Sequence, residues 1–169
     1  MILAPTPQLS ASVVQISGGM AGITQTLTAM RQLVNQGRVD PQIRQAATSA
    51  VFLTPEKDEF SEIEAIFNFV RDNIRYVKDV HQVETLSTAA KTLQGKIGDC
   101  DDQTVLLAAM LEAVGYATRF VIAAYRTSAF EHVYLQALGH GQWISLDPTE
   151  NQYMGWEPPG ATKTLYEAV

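Results

Sequence analysis

Three classes of protein are excluded by what the chain lacks. It has a single cysteine, Cys100, in 169 residues, so it forms no intramolecular disulfide and offers no CxxC pair for a structural zinc. It has no basic excess: 12 Lys and Arg stand against 18 Asp and Glu, for a net charge of −6. The basic residues scatter from Arg31 to Lys163 without a stripe for a phosphate backbone to follow, which argues against nucleic acid as a partner. No apolar run approaches the ~18 residues needed to cross a bilayer, and the opening MILAPTPQLSASVVQ has no basic n-region. These absences predict a soluble, cytoplasmic chain with no membrane partner, a reading compatible with incorporation into a larger particle such as a virion. The composition, 46% hydrophobic and 18% charged, is that of a folded globular domain.

The pattern along the chain predicts helices first and strands afterwards, an α+β fold. Residues 1–20 contain Pro, Ser and Gly and read as a flexible arm. Residues 21–53 read as a helical pair. Ile23, Leu27, Met30 and Val34 share one helical face, and Asp40-Pro41 caps a second helix carrying Ile43, Ala47 and Ala50. The remaining unit, 54–169, opens at Thr54-Pro55 with a helix whose inner face is Ile63, Ile66, Phe67, Val70 and Ile74. From Arg75 to Gly98 the pattern weakens to loop with one short helix. Val105 to Val114 is apolar throughout and closed by Gly115, which predicts a buried helix. Three β-like runs follow, Ala117–Tyr125, Glu131–Leu138 and Gln142–Leu146, as an antiparallel meander, and a turn-rich tail begins at 155.

The last two runs form a hairpin. A Gly139-His140 loop pairs Val133 with Leu146 and Leu135 with Ile144, and so builds an apolar face. A shift of one residue would mix the faces. In this register His132 stands opposite Asp147 with Cβ atoms ~5 Å apart. A carboxylate there can fix the tautomer and charge of an imidazole, and the pair can equally be an ordinary surface contact.

Cys100 sits in Gly98-Asp99-Cys100-Asp101-Asp102-Gln103, just before the buried helix. The helix N-terminus favours a thiolate, whereas Asp99, Asp101 and Asp102 oppose it, so an activated thiol needs a cationic partner. His132 is the candidate. The plainer alternative is a small buried side chain. The acidic cluster is no metal site in this reading, because consecutive residues at a helix start point in different directions.

Taken together, the order Cys–His–Asp on helix, strand and strand resembles the transglutaminase-like superfamily, a branch of the papain-like cysteine acyl-transfer enzymes. The segments that carry the resemblance are GDCDDQTVLLAAMLEAVGYATRFV, EHVYLQAL and QWISLDPT, with weaker similarity through AIFNFVRDNIRYV. The GDCDD form and short length look most like bacterial, phage or prophage members. The resemblance implies a triad: Cys100 as nucleophile, His132 as general base and then acid, and Asp147 as the orienting group. It implies no cofactor and no metal. The Cys100 backbone N–H is an oxyanion donor at the helix start. Gln94, six residues before Cys100, holds the place of the oxyanion glutamine of papain-like enzymes.

Asp99 and Asp101 flank the cysteine where animal transglutaminases carry Gln and Trp, and no calcium loop or accessory β-domain is recognisable. Hydrolysis of a protein or peptide amide is therefore expected over calcium-dependent crosslinking. A module for phage or prophage particle assembly or attachment, binding structural proteins with little turnover, is the second expectation. Trp143 and Tyr134 are candidate cleft walls, Arg119 is expected to brace its strand, and Trp156 and Tyr166 are placed on the tail. His81, His140, Asp79 and Glu84 are given no role.

Overall fold

The computed structural model describes residues 19–78, 85–125 and 130–169. His81, Asp79, Glu84 and most of the N-terminal arm lie outside them. The fold is α+β. Helices α1 (Gly19–Gly37), α2 (Pro41–Val51) and α3 (Glu59–Asn73) precede a two-residue strand β1 (Arg75–Tyr76), a short helix α4 (Ala89–Gly95) and a second short strand β2 (Ile97–Gly98). The long helix α5 (Cys100–Ala113) leads into β3 (Thr118–Ala124), β4 (His132–Gly139), β5 (Gln142–Leu146) and β6 (Lys163–Ala168).

Local chemistry sets the helix ends. Asp40 accepts the N–H groups of Gln42 at 2.8 Å and Ile43 at 3.4 Å, with Pro41 in the first turn. α3 begins later than Thr54-Pro55 implied. Its cap is Asp58, which accepts the backbone N–H of Ser61 at 3.2 Å and its hydroxyl at 2.6 Å. α5 ends in a Schellman motif on Gly115 (φ 102°). The Gly115 N–H donates to Glu112 and the Tyr116 N–H to Leu111, each at 3.1 Å.

α5 is the axis of the core. Every residue from Asp102 to Leu111 is buried, as befits a helix packed on all sides. α1, α2, α3 and α4 surround it, and the sheet closes the remaining side. Gly37 allows α1 to approach closely, because a Cβ there would lie 2.8 Å from the Ala109 Cβ.

The sheet order is β5-β4-β3-β6, all antiparallel. A fourth strand thus returns beside the first strand of the meander, a Greek-key order. β6 corrects the expectation of an irregular tail: the irregular part ends at 162. Tyr166 stands on β6 rather than in a loop.

The hairpin register is also corrected. The turn residues are His140 (φ 48°) and Gly141 (φ 75°), the paired positive φ values of a type I′ turn. Leu135 faces Leu146 and Ala137 faces Ile144, two residues away from the expected pairing. A two-residue slip leaves every side chain on its own face, so apolar alternation cannot detect it. Val133, Leu135, Ala137, Ile144 and Leu146 still face α5 and the core. His132, Tyr134, Gln136, Trp143, Ser145 and Asp147 still share the opposite face.

Candidate active site

The site lies where the start of α5 meets the start of β4. Gly98 prepares the approach. Its carbonyl accepts the Val77 N–H at 3.0 Å and the Gln103 amide at 3.2 Å, which fixes the chain two residues before Cys100. The buried Asp102 accepts the Ser87 N–H at 2.7 Å and ties the preceding segment to the helix start. Asp99 caps α5 by accepting the Asp102 N–H at 3.2 Å.

β4 runs three residues, His132 to Tyr134, beyond its pairing with β5 at this end. Val133 would be level with Pro148, which has no N–H to donate. Side chains of α5 take over the unpaired backbone. Thr104 donates its hydroxyl to the Val133 carbonyl at 3.3 Å, and the Cys100 sulfur takes the Val133 backbone hydrogen bond. Positions 100 and 104 are one helical turn apart, so both reach the same residue of the strand. The nucleophile candidate is thereby docked on the residue that follows His132.

His132 Nε2 lies 2.7 Å from Asp147 Oδ2, with the imidazole 18% exposed and the carboxylate 1% exposed. In the observed register Asp147 is level with Tyr134, so the His–Asp contact is diagonal rather than directly cross-strand. A diagonal separation is within reach of an imidazole. Because Nε2 faces Asp147, Nδ1 is the nitrogen left for a thiol. The Tyr134 ring stacks on His132 with centroids 5.9 Å apart and is itself buried. It backs the imidazole rather than walling a cleft.

The electrostatics of the thiol differ from the helix-terminus expectation. Burial pushes the Cys100 thiol up, the carboxylates of Asp101 and Asp99 push it further, and the Val133 backbone hydrogen bond opposes them. The thiol points its hydrogen toward Asp101 Oδ1 at 3.7 Å. Burial and the carboxylates thus act against the helix terminus and favour the protonated thiol.

Gln94 is placed elsewhere than an oxyanion role requires. It is exposed on α4, and its amide donates to Gln42 Oε1 on α2 at 2.6 Å. Trp143 stands four residues from Asp147 along the chain of β5, with its ring 4.3 Å from the Arg119 guanidinium carbon. Tyr166 flanks the other side of Arg119 at 4.5 Å, and the Arg119 Nε donates to Gln136 at 2.8 Å. Trp143 therefore belongs to a brace across the sheet, as expected for Arg119, and not beside the His–Asp pair.

One residue had escaped the sequence reading. Tyr76 on β1 pairs with Gly98 and is half-exposed. Its phenol is pushed up by burial and by the charges of Cys100, Asp99, Asp101 and Glu150. A two-residue strand is too short to show periodicity, so no pattern announced it. Among the described residues no three His, Cys, Asp or Glu side chains converge as metal ligands, and no helix is long and apolar enough to cross a membrane.

A buried helix that opens on a cysteine, packed on an antiparallel sheet carrying histidine and aspartate, defines the class. The model of the transglutaminase-like superfamily matches residues 46–148, more than half of the sequence, and the chain belongs to this family. A comparison with curated proteins finds no match.

Solved structures share the fold. A candidate cysteine protease from Cytophaga hutchinsonii matches with a TM-score of 0.53 and 19% identity over 76% of this chain and 50% of that one. A candidate protease from Parabacteroides distasonis matches with a TM-score of 0.59 and 14% identity over 76% of this chain and 27% of that one. A Rad4–Rad23 complex crosslinked to undamaged DNA matches with a TM-score of 0.51 and 11% identity, over 78% of this chain and 39% of that one. The chain spans half or less of the length of each.

Proposed function

We propose that this chain is a cysteine-dependent acyl-transfer enzyme acting on an amide or carboxamide bond of a protein or peptide, with water as the favoured acceptor. The observation that carries the reading is the His132 imidazole held 2.7 Å from a buried carboxylate, on the residue that precedes Val133, whose backbone hydrogen-bonds the Cys100 sulfur. The cysteine protease candidates that share the fold support the same class.

The chemistry follows from the placement. The thiol rests protonated, so sulfur attacks the carbonyl carbon as His132 Nδ1 takes its proton, and Asp147 stabilises the imidazolium through Nε2. The carbonyl π-electrons move to oxygen, where the Cys100 N–H and the Tyr76 hydroxyl are the available donors. Collapse breaks the C–N bond, the imidazolium gives its proton to the leaving amine, and a thioester remains. Water, deprotonated by His132, then releases the acid and restores the thiol.

A second reading has one observation in its favour. The carboxylate-flanked, raised thiol suits an attachment module, for example on a phage or prophage particle, that keeps the fold with little turnover.

The rate of Cys100 alkylation by iodoacetamide, measured from pH 5 to 10 in wild type and His132→Ala, separates the two. The enzyme reading expects wild type to react at neutral pH at least about tenfold faster than the variant, the lower range of general-base assistance. Superimposable profiles, or a folded protein that resists labelling, would overturn it in favour of the attachment module.

A further inference from the structure

Asp147 is almost wholly buried, and burying a carboxylate demands hydrogen bonds to both oxygens. Oδ2 meets His132. Oδ1 is served entirely by Thr149: the backbone N–H donates at 3.1 Å and the hydroxyl at 2.7 Å. Among the described residues no other donor reaches either oxygen, so one threonine satisfies half of the carboxylate.

The local sequence makes this possible. Pro148 restricts Asp147 to extended backbone and turns the chain sharply, which brings the amide two residues on back to the aspartate side chain. The turn is anchored downstream, where the Gln152 carbonyl accepts from Arg71 at 2.8 Å and the Gly155 N–H donates to the Ser145 carbonyl at 2.8 Å. A carboxylate held by two converging donors on one oxygen cannot rotate about its Cβ–Cγ bond without breaking both. Its second oxygen, and the imidazole that follows it, are then fixed in direction. Both bonds are charge-assisted, and the hydroxyl bond is the one that depends on the threonine side chain.

We infer that Thr149 is a positioning residue for the His132–Asp147 pair, acting through its hydroxyl on Asp147 Oδ1 to aim the imidazole at Cys100. The inference rests on the proposed function for its consequence, and on the structure alone for the bond itself.

The test compares Thr149→Val, which keeps the shape and the backbone donor but loses the hydroxyl, with Thr149→Ser, which restores a hydroxyl. Two measurements are made on the full chain. One is the proton resonance of the His132 Nε2–H, seen downfield when that proton is held in a strong hydrogen bond. The other is the rate of Cys100 alkylation at pH 7. The resonance should be present in wild type and Thr149→Ser and lost or exchange-broadened in Thr149→Val. Alkylation should fall about tenfold in Thr149→Val, the loss of about 1.4 kcal/mol, and recover in Thr149→Ser.

A Thr149→Val protein with the wild-type resonance and rate would overturn the inference. So would a Thr149→Ser protein that fails to recover while remaining as thermally stable as wild type. Should Thr149→Val fail to fold, Thr149→Ala removes the same donor with less bulk and is read by the same criteria. Failure of the enzyme reading looks different: His132→Ala then alkylates like wild type, while the resonance still answers whether Thr149 holds the pair.

Discussion

Asp101→Asn removes the carboxylate nearest the thiol and should make Cys100 more reactive, not less. Asp101 Oδ1 is 3.7 Å from the sulfur. Two unit charges about 4 Å apart interact by about 1 kcal/mol in bulk water and about 4 kcal/mol at an effective dielectric of 20. The sulfur is neither fully immersed nor fully dry, so about 2–3 kcal/mol of repulsion against the thiolate is reasonable, or about 2 pKa units. The sign is downward: the thiol pKa, raised in wild type, falls toward its ordinary value, and the thiolate appears at lower pH. A drop of about 2 units raises the thiolate fraction at pH 7 about 100-fold, while the weaker basicity costs about tenfold in intrinsic nucleophilicity, leaving a net gain of about tenfold. The assay is the second-order rate of iodoacetamide alkylation across pH. The first-turn carboxylate contributes only about 0.3–1 kcal/mol to the helix, so the fold survives the change. A rate and pH profile equal to wild type would refute the reasoning, because it would mean that Asp101 does not set the resting state of the thiol.

Two further substitutions test the scaffold that delivers Cys100 to the strand. In Gly98→Ala the new Cβ would lie 2.7 Å from the Asp102 Cβ and 3.2 Å from Thr92 Cγ2, so overpacking of about 1–3 kcal/mol is expected. A melting curve should show the midpoint lowered by roughly 2–12 °C for a domain of this size, and an unchanged midpoint would mean the turn is not confined as described. Thr104→Val leaves the buried Val133 carbonyl without its donor and should cost about 1–3 kcal/mol in urea unfolding, whereas Thr104→Ser should cost distinctly less. Equal losses in the two variants would assign Thr104 to packing rather than to the hydrogen bond.

The helices were legible because each carries its own evidence. The apolar stripe of α1, the Asp40-Pro41 cap and the ten-residue buried run of α5 are local facts that tertiary contacts only confirm. Sheet membership was legible where alternation reached five residues or more in an apolar context. It failed for β6, whose exposed Lys163, Thr164 and Tyr166 show no apolar alternation and whose pairing partner, β3, lies about 40 residues earlier. β1 and β2 failed for the opposite reason: two residues carry no period at all. The start of α3 was misplaced because Thr54-Pro55 reads as a helix opening by composition, whereas the cap that forms is Asp58, and only the hydrogen bonds to Ser61 reveal it.

The His132–Asp147 contact was found from a register that was wrong by two residues, and the reason is instructive. The inference needed only that the two side chains share a face and lie within diagonal reach, and both conditions survive an even slip. The direct pairing did not survive, and with it went the placement of Tyr134, which is level with Asp147 and therefore stacks behind the imidazole. The thiol was harder to read. The opposing effects of helix terminus and neighbouring carboxylates are both visible in Gly98–Gln103, but their balance depends on burial and on the Val133 backbone, 33 residues further along the chain. Position therefore followed from sequence parity, whereas protonation state followed from packing. That difference is why the pair His132–Asp147 could be named from the sequence, while the raised thiol required the three-dimensional structure.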